Sequence, residues 1–134
     1  MTGLLTTSPL QSTAPPLPAQ KLLSGQKALV TGANSGIGRG TAIALGQAGA
    51  DVIVNYVEGD DAAGEVVAEI RRSGVEAFAY KADISSEDQV AAMFEHTVKQ
   101  FGTIDILINN AGLQRDAASR DMTLAQWKKV LAVN

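Results

Sequence analysis

Thr31-Gly32-Ala33-Asn34-Ser35-Gly36-Ile37-Gly38 is the stretch that decides the fold. It follows a short apolar run, residues 27–31 (KALVT). Behind it Ile37, Thr41, Ala44, Leu45 and Ala48 recur at helical spacing, and Gly49 supplies a C-cap. A strand that enters a helix through a glycine-rich turn is the junction at which open α/β sheets bind phosphate. Each glycine has its own task there. Gly32 permits the tight turn out of the strand, Gly36 lets a pyrophosphate approach the backbone with no Cβ in the way, and Gly38 allows close helix–strand packing. The helix start then presents free N–H groups and a positive dipole end. The spacing is GxxxGxG, not the commoner GxGxxG, and no Gly-Lys-Ser/Thr follows, which excludes a P-loop.

The same alternation continues outward. Residues 51–55 (DVIVN) form a second strand. Asp60 or Asp61 caps a helix whose Ala63, Val66, Val67 and Ile70 share one face up to Gly74. Residues 76–80 give a third strand, and Ser86 with Gln89 makes a capping box. Val90, Met93, Phe94, Thr97, Val98 and Phe101 carry the next apolar stripe to Gly102. Residues 104–109 (IDILIN) are a fourth strand, apolar on both faces except at Asp105. Thr123 and Gln126 open a last helix that runs to Asn134, with Trp127 as its core anchor. Strands and helices alternating in this way specify an α/β, Rossmann-type doubly wound parallel sheet, of which the first four strands are present. The domain expected at residues 22–134 is therefore an incomplete one. All four prolines lie in the first eighteen residues among Ser, Thr and Gln, so residues 1–21 are expected to be a flexible tail.

Composition narrows the function. The 134 residues contain no cysteine and one histidine, which removes disulfides and thiolate or histidine-rich zinc sites. A net charge of −3 with scattered Lys and Arg argues against a nucleic-acid partner. No apolar run approaches the roughly 18 residues of a membrane span, and the first twenty residues lack the basic start of a signal peptide. No membrane partner and a cytoplasmic setting are the expectation. His96, flanked by Glu95 and Lys99, reads as a solvated surface residue, and Glu58, Asp60 and Asp61 as a solvated helix start.

Three motifs stand in register: TGANSGIG, then Asp83 after the third strand, then Asn109-Asn110-Ala111-Gly112 after the fourth. Together they resemble the short-chain dehydrogenase/reductase family over about residues 22–134, and the local texture is similar to its glucose-dehydrogenase-like and ketoacyl-reductase-like members. The resemblance implies an NAD(P)-dependent oxidoreductase interconverting a small alcohol and a carbonyl, active as a homo-oligomer when complete. It assigns Gly32, Asn34, Ser35, Gly36, Ile37 and Gly38 to the pyrophosphate and Asp83, with Ile84 beside it, to the adenine. Asn110, Ala111 and Gly112 go to the central sheet and nicotinamide ribose. Asn134 becomes a catalytic residue anchoring a water. Two of these readings have plainer rivals: Asp83 as a cap contact for the helix near Ser85, and Asn134 as an exposed terminal residue. Asn134 shares the stripe of Trp127 and Leu131, so as a buried amide it needs hydrogen-bond partners.

The family's chemistry needs a tyrosine with a lysine four residues on, and a serine to orient the carbonyl. The tyrosines here, Tyr56 and Tyr80, have Asp60 and Ile84 at that position. The alternative from another class is a non-catalytic nucleotide-binding module or inactive fragment. A carboxylate at the end of the second strand would favour NAD, whereas Asn55 stands there. Asn55 is expected at the cofactor. Glu58 leans the choice to NAD and the ketoacyl-reductase resemblance to NADP, so the cofactor is NAD or NADP.

Overall fold

A computed structural model of the chain describes residues 20–113 and 117–134. The expected tail lies outside the described residues except for Gln20 and Lys21, and Lys21 joins the folded part by donating from Nζ to the Ser73 carbonyl at 3.0 Å. The elements run β1 (Lys27–Val30), α1 (Gly36–Gln47), β2 (Asp51–Tyr56), α2 (Asp60–Arg71), β3 (Ala77–Lys81), α3 (Glu87–Phe101), β4 (Ile106–Ile108) and α4 (Leu124–Val133). The strands form one sheet, parallel as the alternation requires, in the order β3-β2-β1-β4 with which the Rossmann-type sheet begins.

Period-two alternation divides the core. Ala28 and Val30 of β1 and Val52 and Val54 of β2 pack on one face with Ala42 of α1 and Ala63, Val66 and Ile70 of α2. Leu29 and Ile53 point to the other face and meet Met93 of α3, with Phe78, Phe94, Phe101 and Ile104 around them. All six of those central strand residues are fully buried. Each contributes about 1.5–3 kcal/mol by leaving water (Ala28 less), so these two strands and their three helices form the stable body.

The structure corrects several details. The inward face of α1 is Gly38, Ala42 and Gly46, and Ile37 is 82% exposed and Ala44 exposed. Bulk misdirects here because α1 approaches at its glycines: a Cβ on Gly46 would stand 2.7 Å from Ile70 Cγ2. The N-cap of α2 is Gly59, with Asp60 and Asp61 in the first turn. The box at α3 is half formed. Ser86 accepts from the Gln89 N–H, but the Gln89 side chain accepts from Asp83 N–H instead. Only Ile106, Leu107 and Ile108 pair in β4; Asp105 closes the ladder through Lys27, accepting from its N–H and donating to its carbonyl, both at 2.8 Å. At α4 the full Thr123/Gln126 box forms, yet no residue of the helix is buried and Trp127 is more than half exposed, so it anchors no core. No helix among the described residues is long and apolar enough to cross a membrane.

Candidate functional site

At the carboxyl ends of β1, β2 and β4 the chain forms three loops that are bonded to one another. Thr31, nearly buried, sits where they meet. Its Oγ1 accepts from the backbone N–H of Asn110 and of Ala111, each at 3.0 Å, and donates to the Ile108 carbonyl at 3.4 Å. The Asn110 amide returns two bonds, from Nδ2 to the carbonyls of Thr31 and Gly32, both 3.1 Å. A Cβ on Gly38 would run into the Gly32 carbonyl oxygen and the Asn110 amide, so only glycine lets α1 close on this junction. Gly36 differs. It holds φ +56° and a Cβ there would meet nothing within 4 Å, so the space beside it is open. Ser35 caps α1 without a side-chain hydrogen bond, which leaves the first-turn N–H groups facing outward for an anion.

These loops surround a pocket of about 510 Å³. Gly32, Asn34, Ser35, Asp83, Ile84, Asn110, Ala111 and Gly112 of the expected site line it, so three motifs far apart in sequence share one cavity. Gly36 and Ile37 stand exposed on the first turn of α1, outside the lining, and Gly38 is buried beneath it. A larger groove, about 670 Å³, lies at the far side of β3 among Arg71, Phe78, His96 and Phe101. It contains no part of the glycine loop, so size does not choose the site here. His96 is exposed but not free in water, since its ring lies 5.4 Å from Phe78 and 5.1 Å from Tyr80.

Asn55 is the clearest correction. It is buried, with Oδ1 accepting from Gly32 N–H at 3.3 Å and Nδ2 donating to the carbonyls of Tyr80 (3.3 Å) and Ala82 (3.0 Å). Its amide is engaged by two segments of the chain, the glycine turn and the end of β3, so it supports the glycine turn from below and does not line the pocket. Asp83 shows the plainer contact: Oδ1 accepts from Ser85 N–H at 2.9 Å and Ser85 Oγ at 2.6 Å. The Ser85 hydroxyl, then its N–H, hold the Asp83 carboxyl below its ordinary range, with Lys129 adding to them against partial burial. Asn134 is exposed yet partnered, Oδ1 accepting from Leu113 N–H at 2.8 Å and Nδ2 donating to Leu113 O at 3.2 Å. It ties the end of α4 to the segment after Gly112.

Sequence reasoning missed four contributors. Val57, Leu113, Lys129 and Val133 line the pocket, and Glu58 lines it as well rather than only starting a helix. Asn34 donates from Nδ2 to the Glu58 carbonyl at 2.6 Å and so ties the loop after β2 to the glycine loop. No local pattern marks Lys129, which reaches the pocket because the helix after Thr123 folds back over it. Both tyrosines lie outside the lining. Burial and Asp60 raise the Tyr56 phenol above its ordinary value, and Tyr80 packs on His96.

The family model for short chain dehydrogenases matches residues 26–134. The chain belongs to that family. A 3-oxoacyl-[acyl-carrier-protein] reductase of Synechocystis is 45% identical over 112 residues, which are 84% of this chain and 45% of the relative. A trihydroxynaphthalene reductase of Pestalotiopsis fici is 41% identical over 87% of this chain and 41% of its own. Among solved structures, a short-chain dehydrogenase of Burkholderia cenocepacia in complex with NADP superposes with TM-score 0.81 at 38% identity, over 84% of this chain and 46% of that one. A short-chain alcohol dehydrogenase of Sinorhizobium meliloti gives 0.78 at 36% identity over 84% and 44%. The chain spans about half the length of the relatives it matches.

Proposed function

We propose that this chain is the nicotinamide-dinucleotide-binding part of an oxidoreductase that moves hydride between NAD(P) and a small alcohol or carbonyl compound. One observation supports it above the rest. The glycine loop, Asp83–Ile84 and Asn110–Gly112 line a single cavity, at the strand ends where open α/β sheets bind ligands. The pyrophosphate sits against Gly36 and the uncapped start of α1, where the absent Cβ leaves room and the dipole favours the anion. Membership of the family, and the NADP held by the Burkholderia structure, support the same ligand. Asn134 belongs to the reaction as the positioning residue that fixes the Gly112–Leu113 segment beside the pocket.

A non-catalytic nucleotide-binding module has one observation in its favour: Tyr56 and Tyr80 both lie outside the pocket, and neither has a lysine four residues on. Binding and turnover measured on the same chain separate these readings. Calorimetry of the 134-residue chain with NADH and NADPH is expected to show binding, and Gly36→Val, checked to be folded, is expected to lose it. Unchanged affinity in that variant overturns the site. Dehydrogenase turnover of sugars or ketones is expected to be absent from this chain alone, and turnover above a buffer blank refutes that.

A further inference from the structure

We infer that the groove along β3 is a docking site for this chain's own residues 15–18, Pro-Pro-Leu-Pro, taken up as a polyproline II segment. The groove shares no lining residue with the pocket at the carboxyl ends, so the inference stands apart from the dinucleotide reading. β3 is an edge of the sheet. The Val52 N–H bonds to the Glu76 carbonyl and the Ala82 N–H to the Tyr56 carbonyl. Even-numbered residues of β3 therefore face β2, and Ala77, Ala79 and Lys81 turn their backbone groups outward. The first of these is occupied: Arg71 donates from Nε at 3.0 Å and from Nη2 at 2.7 Å to the Ala77 carbonyl. That clamp blocks the start of the edge to an added strand and fixes the guanidinium as one wall of the groove. Beyond it the exposed Ala79, with its small side chain, leaves a trough beside aromatic rings. The Phe78 ring lies 5.1 Å from Phe101 and 5.4 Å from His96, both edge-on, and Gln100 brings an amide to the lining. An aromatic trough with a few hydrogen-bond donors is what a polyproline II segment fits, because its backbone makes no internal hydrogen bonds and its rings pack on aromatic faces.

The point of attachment selects the occupant. The described chain begins at Gln20, and Lys21 Nζ bonds to the Ser73 carbonyl. A Cβ on Gly74 would stand 3.7 Å from the same nitrogen. Residues before Gln20 are thereby tethered beside the turn that leads, within two residues, into Val75 and Glu76 at the near wall of the groove. Pro18 is two residues from Gln20, so the proline run is the first stretch that can enter. Its four residues span about 12 Å as polyproline II. Residues 76–79, the strand side of the groove, span about 13 Å. Charge agrees as well. Residues 1–19 contain no Asp, Glu, Lys or Arg, and the groove sets one cation, Arg71, against one carboxylate, Glu76, so a neutral segment suits it better than a charged one. The other exposed apolar surface, along α4, follows β4 at the opposite edge of the sheet. A short tether gives an effective concentration of about 1 mM, at which an intrinsic Kd of about 0.1 mM fills about nine-tenths of the sites. The seated segment also covers an edge strand, which otherwise invites pairing with another chain.

The chain has no cysteine, so Ala14→Cys accepts a single nitroxide label next to Pro15. In nitrogen-15 spectra of the full labelled chain, the amide signals of Ala79 and Gln100 are expected to lose most of their intensity. Those of Ala111 and Val133, at the pocket, should keep theirs. Adding Leu17→Asp, a change that touches no element of the fold, should restore the lost signals, and Ala79→Glu should restore the Gln100 signal from the groove side. A mixture of labelled chain without nitrogen-15 and unlabelled chain with it separates the two sources of a proline segment. Loss in that mixture means that the groove takes the segment of a second copy, and overturns the assignment. Signals at Ala79 and Gln100 that stay at full intensity, loss spread evenly over the chain, or loss that survives Leu17→Asp overturn it too.

Discussion

Replacing Thr31 by Val tests whether the three loops of the site are held together by one hydroxyl. Valine matches threonine in shape, so the change removes a polar atom without opening a cavity. In the wild type that oxygen accepts from the N–H groups of Asn110 and Ala111 at 3.0 Å each. Both lose their partner in the variant. An unsatisfied buried donor costs about 1–3 kcal/mol, and both of these are only part-buried, so the lower end applies and the pair costs about 2 kcal/mol. Thr31→Ser keeps the oxygen and removes one methyl group, a loss of about 1 kcal/mol. Urea unfolding followed by circular dichroism should place the midpoints in the order wild type, Ser, Val, with one common slope. Thr31→Val should also weaken dinucleotide binding, since Asn110 and Ala111 line the pocket. A Val variant as stable as wild type, or a Ser variant as damaged as Val, refutes the reasoning.

Three further outcomes are expected. Gly38→Ala should destabilise the chain by at least about 2 kcal/mol in the same assay, because the new methyl meets backbone and overpacking of this kind costs about 1–3 kcal/mol or more. Gly40→Ala, in the same helix with open space around it, should instead stabilise by about 0.5–1 kcal/mol. Ser85→Ala removes the largest cause of the lowered Asp83 pKa, so the variant should be weaker at neutral pH by under about 1 kcal/mol. The stabilisation comes from a depressed carboxyl, so it is present above the ordinary Asp range and fades as pH falls through the lowered value. Urea midpoints that stay apart in acid contradict it. Finally, Leu124, Trp127 and Leu131 are each more than half exposed along one side of α4, and β4 is an edge of the sheet. The isolated chain should sediment above its monomer mass of 13.9 kDa, and a Trp127→Glu, Leu131→Lys variant should move toward it; a monodisperse wild-type monomer argues against that surface.

The sheet was legible because its code is local. Short continuous apolar runs in 27–31 and 51–55 and glycines at helix ends set the elements, and β-α alternation made the strands parallel. Eight of the thirteen expected site residues line the pocket for the same reason, since strand ends and the loops after them can be located from pattern alone. What stayed hidden is non-local. The inward face of α1 depends on how closely Gly38 and Gly46 let it approach Gly32 and Ile70, and no count of apolar bulk along that helix reports this. Asn55 looked like a ligand because it ends a strand, but its burial depends on β3 lying alongside to offer the Tyr80 and Ala82 carbonyls. Lys129 is one exposed lysine among several until α4 is placed over the pocket.

The site and the fold are therefore not separable in this chain. The contacts that shape the pocket floor, Thr31 to Asn110 and Ala111, Asn110 to Gly32, and Asn55 to Gly32, are also the bonds that join β1 to its neighbours beyond the sheet ladder. β4 pairs with β1 through only three residues, so the Asn110 bonds extend a short attachment. A ligand seated among these loops binds only the arrangement in which they are closed, and by linkage stabilises it, by about 2.7 kcal/mol at a hundredfold excess over Kd. Gly38 is needed for Asn110 to fit, Asn110 for the Gly32 turn to close, and the Gly32 turn for Gly36 to stand at the open start of α1. A change at any one of them acts on binding through the packing of the others.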